Sequence, residues 1–153
     1  MTDGRASVTL PDMDDRFDLQ RFVDAQEGGD SYTRARQELR EGHKRTHWMW
    51  FVFPQIAGLG QSPTAKRYAI TGLDEARAYL NHPVLGPRLL ECAGILVDLG
   101  ATDPVAVLGG IDAQKLRSSM TLFFHADPDQ TVFGDVLTRY FSGQEDDATI
   151  ARL

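Results

Sequence analysis

The sequence predicts an all-α fold, a compact single-domain bundle of about seven or eight short helices with irregular packing, and three observations carry that prediction. Apolar residues recur at spacings of three and four in segment after segment, the period of a helix with one buried face. No two segments alternate polar and apolar residues and join through a hairpin turn. Helix stop and start signals separate the segments, with glycine after the last periodic residue and Ser-Pro or Asp-Pro before the first. A chain of 153 residues has the length of one domain. It can bury roughly 68–70% of its unfolded surface without a metal or a disulfide.

Residues 1–15 (MTDGRASVTLPDMDD) are polar and aperiodic and read as a disordered leader, which leaves 16–153 as the single helical domain. Leu19, Phe22, Val23 and Gln26 share one helix face, and the pattern ends at Gly28-Gly29. Ser31 fits an N-cap, Tyr32, Ala35 and Leu39 form the next stripe, and Gly42 stops it. Ser62-Pro63 opens a short helix through Tyr68. Leu73, Ala76 and Leu80 mark another, with Asp74 and Glu75 placed to suit the helix dipole. Leu85, Leu89, Ala93, Leu96 and Leu99 define the longest stretch, ended by Gly100. Asp103-Pro104 starts a turn that Gly109-Gly110 closes. Leu116, Met120, Phe123 and Phe124 then repeat with helical spacing, as do Val132, Phe133, Val136, Leu137, Tyr140 and Phe141 before Gly143. A last short helix follows from about Asp147.

Trp48 to Phe53, ended by Pro54, is ambiguous. Its residue types favour a strand, but a lone strand leaves its backbone unpaired. A short buried helix or an extended core segment fits better, with Trp50 expected to be largely buried.

Charge and composition narrow the function classes. The chain is 42% apolar with a net charge of −6 and a pI near 5.1, which speaks against a general nucleic-acid binder. Residues 31–88 nevertheless carry nine bases and four acids, a local anion-attracting region. No apolar run is long enough to span a membrane, and the N-terminus lacks the basic start and apolar stretch of a secretory signal. A single cysteine, Cys92, forbids an internal disulfide and a cysteine-based zinc site. A cytoplasmic setting is expected, with no cofactor and no metal.

The chemistry-bearing stretches are few. His43 and His47 stand four apart, but Lys44 occupies the place where a zinc protease needs glutamate, and two neighbouring cations disfavour a dication. Between Arg34 and Phe53 the charges come before the aromatics and do not interleave with them, unlike a single-strand-binding surface. No serine-nucleophile, phosphate-loop or dinucleotide motif is present. Cys92 lies on an apolar helix face beside Leu89 and Ala93 and reads as a small buried hydrophobe. Lys115-Leu116-Arg117-Ser118-Ser119-Met120-Thr121 brings two cations and three hydroxyls onto a core helix. Lys115, Ser118 and Ser119 share a side there, which suits either a polar pocket or a close helix contact.

Arg45-Thr46-His47-Trp48-Met49-Trp50-Phe51-Val52-Phe53-Pro54-Gln55, followed by Gly58-Leu59-Gly60, Ser62, Ala65 and Tyr68-Ala69-Ile70, resembles the signature of the bacterial domain-of-unknown-function 1810 family. Phe17 to Phe22, His82 to Gly86 and Lys115 to Phe123 resemble its other blocks in the same order. The resemblance covers about residues 16–153 and implies a stand-alone, compact all-helical fold. The label calpastatin sometimes attached to such proteins belongs to a disordered repeat inhibitor, and this sequence contains no repeat. No activity comes with the resemblance.

The leading reading is a polar cleft for a small anionic molecule, a nucleotide or a phosphorylated metabolite. His47 would be its catalytic acid or base, since imidazoles change charge near neutral pH. Lys115 and Arg117 would hold the anion, with Arg45, Lys66 and Arg67 as further cations. Trp48 or Trp50 would supply a stacking wall. Gln55, Ser118 and Ser119 complete the expected polar lining. The alternative is a protein-interaction module or adaptor without chemistry. His47 and the Lys115–Ser119 stretch should approach each other, because each borders an intensely apolar segment and both segments must meet in one core.

Overall fold

The computed structural model describes residues 15–153; the expected leader, apart from its last residue, lies outside them. A 3-10 turn at Asp15–Phe17 leads into α1 (Gln20–Glu27), and a second at Gly28–Asp30 joins it to α2 (Ser31–Glu41). A single turn, α3 (Met49–Val52), is followed by α4 (Pro63–Arg67), α5 (Leu73–Asn81), α6 (Leu85–Asp98) and α7 (Pro104–Leu108). The chain ends with α8 (Gly110–Ala126), α9 (Thr131–Phe141) and α10 (Asp147–Ile150). Among the described residues the only strand-like pairing is one parallel bridge between Ile56 and Ile70.

The caps follow the local signals. Ser62 Oγ accepts from the Ala65 amide with Pro63 in the first helical turn, and the Asp103 carboxylate accepts from the Val105 amide ahead of Pro104. The cap of α2 is Asp30 rather than Ser31; the Ser31 hydroxyl instead donates to the Gly28 carbonyl at 2.7 Å.

Helix α8 is the axis of the bundle. It packs against α5, α7, α9 and α10, so it buries residues on several faces: Leu116, Ser119, Met120, Leu122 and Phe123 among them. An aromatic chain crosses the core, with Phe22 edge-on to Tyr79 at 5.1 Å, Tyr79 against Phe123 at 5.4 Å and Phe123 against Phe133 at 5.8 Å. The segment at 48–53 enters this core as a helical turn, and its tryptophans divide differently from the expectation. Trp48 is the buried one, 1% exposed. Trp50 is half-buried, because a helical turn sends side chains two residues apart to different faces.

Candidate functional site

The site begins with a loop that one carboxylate holds in shape. Gly42 ends α2 at φ 73°, a left-handed turn that glycine adopts at little cost. Residues 43–48 then fold back over Glu38, which sits on the buried side of α2 at 4% exposure. Its Oε1 accepts from the Arg45 amide at 2.8 Å, the Thr46 amide at 3.0 Å and the Trp48 indole N–H at 2.9 Å, while Oε2 accepts from the Thr46 hydroxyl at 2.8 Å. Burial pushes the Glu38 carboxyl up, but these hydrogen bonds outweigh it and hold the group down at about 2. The Lys44 amide also donates to the Val107 carbonyl at 2.8 Å, tying the loop to α7. Lys44 and His47 are thus presented from a fixed backbone.

The opposite wall is the junction of α7 and α8. Gly109 closes one helix and starts the next at φ 87°, ψ 162°, a conformation that side chains rarely tolerate. A β-carbon at Gly109 or Gly110 would meet no atom within 4 Å, so the glycine pair leaves space in front of the helix. No side chain caps α8. Its first amides and the positive end of its dipole are left facing that space.

Loop and junction border an open depression of about 440 Å³. Its polar half is Lys44, His47, Asp112 and Lys115; its apolar half is Met49, Trp50, Leu108 and Ile111, with the glycine pair between them. Asp112 is shared by two cations: Lys44 Nζ lies 2.9 Å from Oδ2, and Lys115 Nζ lies 3.8 Å from Oδ1, too far for a hydrogen bond. The Lys44 side chain is only 8% exposed and stands 5.1 Å from the Trp48 ring centroid, while Lys115 stands 4.7 Å from that of Trp50. His47 is exposed at the rim and makes no hydrogen bond to another described residue.

Of the residues expected to converge, His47 and Lys115 line this depression together, and Trp50 joins them. The rest are elsewhere. Trp48 is core, its indole engaged by Glu38. Arg45 is exposed and paired with Glu41. Gln55 lies in the bridged segment, its carbonyl accepting from the Ile70 amide. Lys66 and Arg67 are exposed on α4, and the Arg67 guanidinium donates to its neighbour's Tyr68 hydroxyl.

The stretch 115–121 divides. Arg117 donates to the carbonyls of Gln144 and Glu145 at 3.0 and 2.8 Å. Ser118 is buried and donates to Asp146 Oδ2 at 3.1 Å, and Thr121 Oγ1 accepts from the Asp146 amide at 2.9 Å. Ser119 is fully buried, with no hydrogen-bond partner among the described residues. Three of these residues therefore dock the C-terminal segment rather than line a pocket. Cys92 is buried, which pushes its thiol up to about 12 and keeps it from acting as a nucleophile.

Sequence reasoning missed Glu38, Lys44, Asp112 and the Gly109-Gly110 pair as parts of one arrangement. Glu38 carried a readable signal, an acid set between Ala35 and Leu39 on an otherwise apolar stripe. Asp112 carried a weaker one, three residues ahead of Lys115 on the same helix.

Site and fold together describe a small all-helical protein with a cationic cleft at the head of its central helix; a second depression, of about 670 Å³, is lined by Arg16, Arg77 and Arg152 with Asp74. The family model described as a protein of unknown function, DUF1810, matches residues 16–153, and the chain belongs to that family. The crystal structure of the conserved hypothetical protein Rv1873 from Mycobacterium tuberculosis is similar to it at 50% identity and a TM-score of 0.86, covering 90% of this chain and 96% of that one. No curated protein shows a match to the chain. Among the described residues no helix is long and apolar enough to cross a membrane, and no group of three or more histidine, cysteine or carboxylate side chains is placed to hold a metal ion.

Proposed function

We propose that this protein binds a small anionic ligand in the cleft between the 42–48 loop and the start of α8. The observation that carries the reading is the sharing of one carboxylate, Asp112, by two lysines. One positive charge is left over on side chains that are themselves largely covered, 8% exposed at Lys44 and 20% at Lys115, which reduces the screening of its field. The uncapped amides of α8 add to the attraction. The phosphorylated ligands expected from the sequence are one arm of the test. Binding is as far as the proposal goes. No side chain orients His47 among the described residues, and no serine, threonine or cysteine lines the cleft. If a bound anion reacts, His47 is the acid or base within reach. A cytoplasmic setting belongs to the same reading.

A thermal-shift screen against phosphate, AMP, sugar phosphates and organic carboxylates tests it. The expected result is a rise in Tm with at least one anion that Lys115→Ala reduces. The absence of any shift across the panel would overturn the proposal.

A second reading, a protein-interaction surface without chemistry, is favoured by Val105 and Ile111, which are 55% and 78% exposed at the α7–α8 corner. It gains if no anion shifts the Tm and a partner is retained by the wild type but lost with Val105→Asp.

A further inference from the structure

We infer that the occupant of this cleft is an amphiphilic monoanion, a carboxylate carried on a compact apolar body such as an aryl or branched alkyl group, and not a nucleotide or a sugar phosphate; the inference rests on the anion-binding reading above. Charge is the first argument. Lys44 and Lys115 carry two positive charges and Asp112 one negative, all within the cleft. A monoanion joining Lys115 neutralises that set. A phosphate dianion would bring a second negative charge next to Asp112 that the two lysines do not match, in a place that is already partly desolvated.

The second argument is the chemistry of the walls. A nucleotide or sugar is recognised through hydroxyls and ring edges, which need paired donors and acceptors in the site. None of the described residues lining this cleft is a serine, threonine, asparagine, glutamine, tyrosine or arginine. The rest of the lining is Trp50, Met49, Leu108 and Ile111 with the Gly109-Gly110 pair. Sugar hydroxyls packed against these four side chains would lose their water without a partner on that side. An apolar group loses nothing and covers Ile111, whose 78% exposure is the largest of any large apolar side chain described.

Geometry joins the two halves. The Lys115 ammonium stands 4.7 Å from the centroid of the Trp50 ring. A carboxylate paired with Lys115 therefore brings its attached group alongside that ring, within the range of aromatic contact. Ile111, four residues before Lys115 on α8, shares its helix face. Lys115 and Ile111 are thus set by one helix and stand in a fixed relation.

The experiment uses the full chain and titrates benzoate, 4-methylpentanoate, acetate, inorganic phosphate, AMP and the neutral isostere benzyl alcohol by calorimetry, with the fluorescence of Trp48 and Trp50 as a local readout. Benzoate or 4-methylpentanoate should bind about tenfold or more tightly than acetate, phosphate, AMP and benzyl alcohol. Lys115→Ala should weaken the apolar acids about tenfold. Ile111→Ser, at an exposed position that leaves the fold intact, should bring their affinity down to that of acetate. Trp50→Phe should reduce the fluorescence response to what Trp48 alone reports, while binding persists. Tighter binding of phosphate or AMP than of the apolar acids would overturn the inference and leave the anion-binding reading standing. Benzyl alcohol binding as well as benzoate, or no binding by any anion, would overturn both.

Discussion

The two ends of α8 carry similar polar residues and put them to opposite use. From Arg117 onward the polar groups hold the C-terminal segment. Arg117 grips two carbonyls, Ser118 and Thr121 meet Asp146, and the Asp146 carboxylate also caps α10 through the Thr149 amide at 3.1 Å and hydroxyl at 2.6 Å. His125 Nε2 lies 2.5 Å from Glu145 Oε1 at the far end. From Gly110 to Lys115 the balance is different, apart from Gln114, which donates to Asp146 Oδ1 at 3.1 Å. The helix start is uncapped, one carboxylate serves two ammonium groups, and Ile111 faces outward. Polar residues on a core helix are therefore not evidence of a site by themselves. A site is indicated where their hydrogen-bonding and charge capacity is not consumed by the fold.

Five substitutions sharpen or break this contrast. The largest effect is expected at the tryptophans flanking the cleft loop. Trp48→Ala should cost about 3–5 kcal/mol by emptying a buried aromatic site, whereas Trp50→Ala should cost about 1 kcal/mol because its ring is only half covered. Chemical denaturation followed by circular dichroism measures both, and equal losses would refute the division into core and cleft.

Asp146→Ala should come next at about 2–4 kcal/mol, since it strands the donors of Ser118, Thr149 and Gln114. A loss below about 1 kcal/mol would show that the consumed end of α8 is not held by its hydrogen bonds.

Glu38 gives the contrast a pH dependence. Its carboxyl is held at about 2 in the fold against an ordinary value of 4.5. Its contribution is therefore complete above pH 4.5 and disappears as the pH falls from about 4.5 to about 2. Glu38→Gln should lower stability by roughly 2–3 kcal/mol at neutral pH and flatten the acid limb of the stability curve. It should also loosen the loop that presents Lys44 and His47. An unchanged acid limb, read by urea titrations between pH 2 and 7, would dismiss the clamp.

The smallest effect is at Ser119. Removing a buried hydroxyl without a partner should be neutral or stabilising, by up to about 1 kcal/mol. A clear destabilisation on Ser119→Ala would mean that its hydroxyl is used and that the far end of α8 is not the sole consumer of that stretch.

Most helix ends could be read from local chemistry. Ser62-Pro63, Asp103-Pro104 and Gly42 each act within a few residues, through a cap, a fixed dihedral or a left-handed turn. The cap of α2 slipped by one residue, from Ser31 to Asp30, because Asp30 takes the left-handed conformation at φ 59° and frees the Ser31 hydroxyl for the Gly28 carbonyl. The tryptophans were harder. Apolar character puts both Trp48 and Trp50 inside, but only the phase of a one-turn helix decides which one the core receives.

For the site, the sequence by itself marked His47 and Lys115 as polar interruptions beside apolar runs, and the packing of those runs into one core brings the two to one edge. It could not say that Arg117, Ser118 and Thr121 were already committed, because their partners lie 25 to 28 residues away in the C-terminal segment. Nor could it pair Lys44 with Asp112, a contact between the 42–48 loop and the first turn of α8 that exists only once that loop is docked on α7. Helix periods and caps follow from interactions over three or four residues, which sequence order preserves. Which charges are neutralised and which are left over depends on long-range contacts, and those exist only once the helices have packed.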